Sequence, residues 1–173
     1  MTRSSDIAIV GGGVIGSAIA WWLKAHFAFP GSVTVIEPDP TYAEGATGRS
    51  LGSLRQQFSM PENILLSRFG LEFVRDIRNR IDLPEDEAPD VQFRDGHYLF
   101  LATEAGAEAL RSNFAAQQAT GSPVALLTPE EVQQRFPWIR VHDVALAALG
   151  LRDEGWLDPH ALLQAFRRGA RRA

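Results

Sequence analysis

A chain of 173 residues that is 45% apolar, 22% charged and 9% aromatic has the composition of an ordinary globular unit, not of a disordered tail. It has no cysteine, which excludes a disulfide framework, a thiol nucleophile, a CxxC redox pair and thiolate metal sites; its formal charge of −4 gives no reason to expect bulk attraction to nucleic acid or anionic lipid. No apolar run approaches the roughly 18 residues that span a bilayer, and residues 1–10 lead into a strand-like run with no room for a secretion signal. The start therefore reads as native and the chain as cytoplasmic, without a membrane span.

Asp6-Ile-Ala-Ile-Val10 reads as a strand and Gly11-Gly-Gly-Val-Ile-Gly16 as a turn. Residues 14–27 follow as a helix, in which Ile15, Ile19, Trp22, Leu23 and His26 recur three to four apart. Pro30 and Gly31 close it, and Val33-Thr-Val-Ile36 makes a second strand ending in Glu37-Pro38, so the opening is a βαβ unit with a parallel pair. Residues 39–58, with Gly45, Gly48 and Gly52 among Thr47, Ser50 and Ser53, are too polar and glycine-rich for a regular element and read as a long loop. Ser59-Met-Pro-Glu62 has capping-box spacing, and Ile64, Leu65, Phe69, Phe73, Val74 and Ile77 keep helical period to about residue 80. Residues 84–89, acidic and proline-bounded, make a surface connection.

Val91-Gln-Phe-Arg94 and His97-Tyr-Leu-Phe-Leu101 flank Asp95-Gly96, a dipeptide suited to a two-residue turn, so an antiparallel hairpin is expected there. Residues 103–119 read as a helix, Thr128-Pro-Glu-Glu131 caps a short helix to Phe136, and residues 144–151 are strand-like. Asp158-Pro159 opens a last helix through Ala161, Leu162 and Phe166. The fold class is α/β, a parallel βαβ start followed by an antiparallel insertion with helices. A two-stranded parallel sheet cannot cover both its faces, so the architecture reads as incomplete.

Gly11, Gly13 and Gly16 form a Gly-x-Gly-x-x-Gly turn between strand and helix, and Glu37 stands 21 residues beyond it at the end of the second strand. Gly11 permits the tight turn, Gly13 lets backbone approach a pyrophosphate, Gly16 lets helix and strand pack closely, and the helix N-terminus offers N–H groups to the anion. Glu37 suits a ribose hydroxyl and argues against a 2′-phosphate. Arg167, Arg168, Arg171 and Arg172 end a helix, where cations suit the macrodipole, and no aromatics interleave them; nucleic acid is not an expected partner. His26, His97, His142 and His160 lack ligand spacing, so no metal site is expected.

The matching stretches are Gly11 to Gly16, Glu37, residues 45–53, Arg55-Gln-Gln-Phe-Ser59, Pro61-Glu62-Asn63, Gly96 to Leu101, Phe136-Pro-Trp138 and Asp158-Pro159. On them the chain resembles the N-terminal part of the FAD-dependent amino-acid oxidoreductases typified by D-amino-acid oxidase. It is most similar to the branch of sarcosine oxidase, dimethylglycine dehydrogenase and the FAD-dependent oxidoreductase-domain proteins, which includes a mitochondrial complex I assembly factor. The resemblance implies a Rossmann-like FAD-binding domain interrupted by an α+β substrate domain. Residues 1–58 and the helix at 59–82 would belong to the former, residues 83–145 to the insertion, and residues 146–173 to the return, the whole being a fragment of a longer pattern. It implies FAD as cofactor, held by Gly11, Gly13, Val14, Ile15, Gly16, Glu37, Arg49, Ser50, Gly52 and Ser53. Arg55 would pair with the substrate carboxylate, and Tyr98 and Phe100, on one face of a strand, would line the pocket or pack the core. The resemblance implies that the loop around Thr47 to Ser53 runs beside the pyrophosphate and isoalloxazine; in several members this loop carries a histidine joined to the flavin, whereas here it has Arg49 and no His, so attachment at this loop is not expected.

The implied reaction is oxidation of the C–N bond of a small amino acid or N-methyl amino acid, sarcosine-like, by hydride transfer to flavin. The implied partners are that substrate, oxygen or an electron-acceptor protein, and a completing chain. The alternatives are a non-catalytic FAD-binding assembly factor and a nicotinamide-binding domain.

Overall fold

The parallel pair expected at the start is present in the computed structural model, which describes residues 4–173: β1 (Ile7–Val10) and β2 (Val33–Ile36) pair from Ile7 with Val33 to Val10 with Ile36. The reading of the start rests in part on residues 1–3 and lies outside the described residues. The described residues fold as two compact units. The first comprises the chain up to Gly52, Asp76–Gln92 and Leu157–Ala173; the second comprises Ser53–Arg75 and Phe93–Trp156.

In the first unit α1 (Val14–Trp21) leaves the glycine turn and passes into a wider π turn over Trp22–His26, so the helix expected to residue 27 forms in two geometries. Its buried face is Gly16, Ser17, Ala20 and Trp21, and the small side chains allow close packing against α6 (Pro159–Arg172). Trp21 meets Phe166 edge to face at 5.8 Å, and a Cβ at Gly169 would stand 2.7 Å from the Trp21 ring, so the absent side chain makes room for the indole. The short helix α3 (Ile77–Ile81) buries Ile77 and Ile81 beside α6. Asp158 caps α6 as its sequence requires: its Oδ1 accepts from the His160 and Ala161 N–H groups at 2.8 and 3.0 Å, with Pro159 in the first turn. Among the described residues β1 and β2 pair only with each other, and Val10, Ile15 and Ile36 stand exposed, as the expected incompleteness requires.

The second unit holds two three-stranded antiparallel sheets. One has the order β3 (Ser53–Leu54), β8 (Glu154–Trp156), β4 (Arg94–Gly96); the other has the order β5 (Leu99–Ala102), β7 (Leu146–Gly150), β6 (Val124–Leu127). Every residue of β7 is buried, and Leu127, Val132, Ala147 and Leu149 form a core edged by Phe136, Ile139 and Val141. Helix α4 (Glu104–Ala119) packs on this sheet, and α5 (Pro129–Arg135) starts in the expected capping box: Thr128 N–H donates to Glu131 Oε2 at 2.7 Å and Glu131 N–H to Thr128 Oγ1 at 3.3 Å. Trp138 packs edge-on against Phe136 but is largely exposed.

Three expectations are corrected. Asp95-Gly96 is no hairpin turn: both residues lie inside β4, opposite Gly155 and Glu154, and the chain then passes into the other sheet. The positive φ that such a turn needs falls instead on Gln92, at 50°. The helix expected from a Ser59 cap to about residue 80 begins at Pro61 and stops at Arg75 as α2 (Pro61–Arg75), breaks at Asp76 with φ −111° and ψ 17°, and resumes as α3. The loop at 39–58 contains the short strand β3, because Ser53 and Leu54 find a ladder partner in β8.

The Asp158 cap supplies acceptors for two N–H groups that the helix cannot satisfy. Replacing Asp158 with Ala lowers stability by about 1 kcal/mol while Asp158→Asn, an equivalent N-cap, leaves it nearly unchanged, measured as midpoint shifts in urea unfolding.

Candidate cofactor and substrate residues

The glycine turn is held from three sides. Gly11, at φ +96°, donates its N–H to Ile36 O at 2.8 Å, tying the end of β1 to the end of β2. Gly16 lies so near the Gly11 carbonyl oxygen that a Cβ there would collide with it, which brings the first turn of α1 onto the strand end. Gly12 N–H donates to Glu37 Oε2 at 2.7 Å, and Glu37 Oε1 accepts from Asp39 N–H at 3.0 Å. Val14 N–H donates to the hydroxyl of the buried Thr47 at 3.0 Å. The Ile15 and Gly16 amides belong to the first helical turn, where N–H groups have no intrahelical acceptor and the macrodipole is positive.

These residues line a groove of about 390 Å³, walled by Gly11, Gly13, Val14, Ile15, Gly16 and Glu37, with Tyr42 and Thr47 from the following loop. That loop is folded onto Asp39, whose carboxyl is held below the usual carboxylate range by hydrogen bonds from the Thr41 hydroxyl, then from the Thr41 and Glu44 N–H groups. A second groove of about 430 Å³, still within the first unit, shares Glu37 and Tyr42 and adds Ser17, Lys24, Val35 and Arg167; the Arg167 guanidinium stands 5.3 Å from the Tyr42 ring centre. The donor set fits an FAD pyrophosphate and ribose: open amides at a helix N-terminus, a turn without side-chain bulk, and a carboxylate whose two oxygens keep spare lone pairs after accepting one N–H each.

Six of the expected cofactor residues thus share one groove, and four do not line it. Arg49 is exposed and pairs with Glu44. Ser50 Oγ accepts from Gly52 N–H at 3.1 Å, and the Gly52 carbonyl accepts from Leu157 N–H at 2.9 Å. Ser53 opens β3 opposite Trp156 in the second unit. Tyr42 escaped the sequence reading, in which Thr47 entered only as a loop residue and Arg167 only as a helix-end cation. Thr47 stood in the Gly45-Ala-Thr-Gly48 run, where it could have been singled out, whereas nothing local marks Tyr42 or Arg167, which meet only through the fold.

Arg55 lies in the second unit. Its guanidinium carbon is 4.6 Å from the Phe58 ring centre and 5.5 Å from that of Phe100. Its Nε is buried without a hydrogen-bond partner, and among the described residues no carboxylate pairs with it. Tyr98 stacks on Phe100 at 6.4 Å and 20°, so the two aromatics extend the surface on which the cation rests. A guanidinium held between rings, with no anion of its own, offers a planar fork to an incoming carboxylate. The histidines are otherwise engaged: His97 Nδ1 lies 2.8 Å from Gly150 O, His26 packs on Trp22 and Phe27, His142 sits 3.6 Å from Asp143, and His160 is beside Gln164. Among the described residues no group of His, Cys, Asp and Glu could hold a metal ion, and no helix is long and apolar enough to cross a membrane.

The chain is similar to FAD-dependent oxidoreductase domain-containing protein 1 of Xenopus laevis, 46% identical over 168 residues that make 96% of this chain and 34% of the relative. A Drosophila melanogaster homologue of that protein is 44% identical over 165 residues, 95% of this chain and 31% of the relative. The chain therefore spans about a third of the length of the curated relatives it matches. Among solved structures, L-proline dehydrogenase from P. horikoshii superposes with a TM-score of 0.76 at 26% identity, covering 99% of this chain and 43% of that one. Glycine oxidase from Geobacillus kaustophilus gives 0.75 at 25% identity, covering 98% and 45%. The model of the FAD dependent oxidoreductase family matches residues 6–173, from β1 through α6, and with the glycine turn, Glu37 and the neighbouring folds it establishes that this chain belongs to that family, whose cofactor is FAD.

Proposed function

We propose that the protein oxidises the C–N bond of a small amino acid or N-methyl amino acid, as the sarcosine-oxidase-like branch does, with Arg55 holding the substrate carboxylate. The observation that carries this reading is the buried, unpartnered Nε of Arg55 between Phe58 and Phe100. Two structural neighbours, named for proline and for glycine, act on amines that bear a carboxylate, which supports the same class here. FAD held here would supply the hydride acceptor; as the hydride leaves the substrate carbon the nitrogen lone pair forms the C=N bond, the amine N–H proton passes to solvent, and water hydrolyses the imine.

The chain's own residues bind and orient. The Ile15 and Gly16 amides would hold the pyrophosphate, Gly11, Gly13 and Val14 would shape its bed, and Glu37 would accept from ribose hydroxyls; all six line one groove. Arg49, Ser50, Gly52 and Ser53 complete the flavin side of the proposal. The Arg49–Glu44 pair is no obstacle, since an ion pair exposed on both sides contributes only about 0–1 kcal/mol and releases the arginine readily. Phe58 and Phe100 fix the plane of Arg55 and shield it from water, which strengthens its charge-assisted bonds to a carboxylate. In this reading the first unit is the FAD-binding part and the second the substrate part, so the limits expected near residues 58, 82 and 145 move to 52, 75, 92 and 156. The electron acceptor is oxygen or a carrier protein.

Adding sarcosine, dimethylglycine, proline and D-amino acids to the FAD-loaded protein should bleach the flavin band with at least one; no bleaching with any overturns the reading. Arg55→Met raises KM for that substrate by about 10- to 100-fold, the value of a charged hydrogen-bonded pair, and changes kcat less. Gly16→Ala drives a methyl into the Gly11 carbonyl, an overpacking cost of about 1–3 kcal/mol. The expected outcome is loss of most of the flavin absorbance retained after desalting, while the far-UV circular dichroism of the second unit's helices persists.

A further inference from the structure

Glu154 opens β8 in the second unit and is fully buried. Among the described residues no Lys or Arg pairs with it. A buried carboxylate without a cation is costly unless N–H donors saturate it. Here Oε1 accepts from Gln56 N–H at 2.9 Å, and Oε2 accepts from Tyr98 N–H at 3.0 Å and from Gln57 Nε2 at 3.1 Å. The Gln57 amide also donates to Tyr98 O at 2.9 Å, and Gln56 Nε2 donates to Asp153 O at 3.0 Å. Residue 150 is Gly, and a Cβ there would run into the Glu154 carboxylate, so the chain leaves room for this anion.

The donors come from two segments, residues 55–58 and 97–98, and neither belongs to a strand at these positions. Among the described residues no backbone–backbone hydrogen bond joins the two; the Glu154 carboxylate and the Gln57 amide do so instead. Arg55 rests on one ring carried by the first segment, Phe58, and on one two residues beyond the second, Phe100 in β5. Phe58 is also tied to α4 by Gln117 Nε2, which donates to its carbonyl at 3.2 Å, and Phe100 is held in the β5–β7 ladder, but the direct link between the two segments that carry the rings runs through a carboxylate that never touches the guanidinium.

We propose that Glu154 is a positioning residue for substrate carboxylate binding, acting through Gln56, Gln57 and Tyr98 to keep Phe58 and Phe100 in place around Arg55. The proposal rests on the reading of Arg55 as the carboxylate partner. Glu154→Gln keeps the volume but sets an NH2 group against one of the N–H donors, so one side of the clamp is released.

The test uses the FAD-loaded protein with benzoate and its neutral near-isostere benzamide as probes, their binding read by perturbation of the flavin spectrum and by calorimetry. The wild type should prefer benzoate. Arg55→Met and Glu154→Gln should each weaken benzoate by on the order of 10-fold and benzamide by less than about twofold, and the double variant should be no weaker than Arg55→Met within about twofold. A merely structural role for Glu154 would weaken both probes alike, and that result overturns the proposal. So does an unchanged benzoate affinity in Glu154→Gln, or full additivity in the double variant. If the wild type shows no preference, or Arg55→Met leaves it intact, the Arg55 reading itself falls, an outcome distinct from loss in Arg55→Met without loss in Glu154→Gln. Should Glu154→Gln fail to fold, Gln57→Met, which removes the amide link to Tyr98, carries the test: about threefold selective weakening of benzoate supports the proposal, and no change overturns it.

Discussion

The first unit depends on how closely the start of α1 approaches the glycine turn. With no side chain at Gly16, the helix meets the Gly11 carbonyl, so its N-terminal amides open onto the groove while its buried face, Ser17, Ala20 and Trp21, is turned to α6. One steric permission therefore serves both binding and packing. Glu37 reinforces it from the end of β2, because its carboxylate joins the turn at Gly12 to the loop at Asp39 before any ligand arrives. A site organised in this way is largely preformed, which reduces the ordering cost of binding.

The second unit solves a different problem with a similar device. Its two sheets are short, and the chain crosses between them at His97 and Tyr98, where ladder bonds run out. A buried carboxylate takes over the work of a strand, satisfying N–H groups that the ladders leave open. Arg75 performs a comparable role nearer the surface, donating to Asp95 at 2.6 Å and to Asp153 at 2.8 Å, so that the end of α2 is joined to β4 and to the turn before β8.

What could be read from the sequence was local. The glycine turn with Glu37, the Asp158-Pro159 and Thr128-Pro129 caps, and the parallel opening pair each carry their cause within a few residues or one βαβ unit, and the structure has them all. The failures were non-local. Asp95-Gly96 has the chemistry of a turn, yet β8 captures it as strand; Glu154-Gly-Trp156 has no apolar alternation and becomes the centre of a sheet because its neighbours arrive from residues 53 and 94. Val124–Leu127 is a short, unalternating apolar run, ambiguous by period alone, and β7 decides it. At the candidate site the same divide holds: the glycine turn and its Glu37 were legible, while Tyr42 with Arg167 and the clamp at Glu154 exist only once distant segments meet.

The chain passes between its two units four times, at residues 52, 75, 92 and 156, so neither unit is a continuous stretch of polypeptide. During synthesis the βαβ opening emerges early, but its packing partner α6 begins only at Pro159. The first unit must therefore wait, with the α6 side of Trp21 uncovered, until residues 37–158 have been made and that long loop has been closed, a slow and aggregation-exposed interval of the kind that non-local topologies impose. The second unit also waits for β8, the strand its smaller sheet is built around, so both units reach completion only as residues 154–172 emerge.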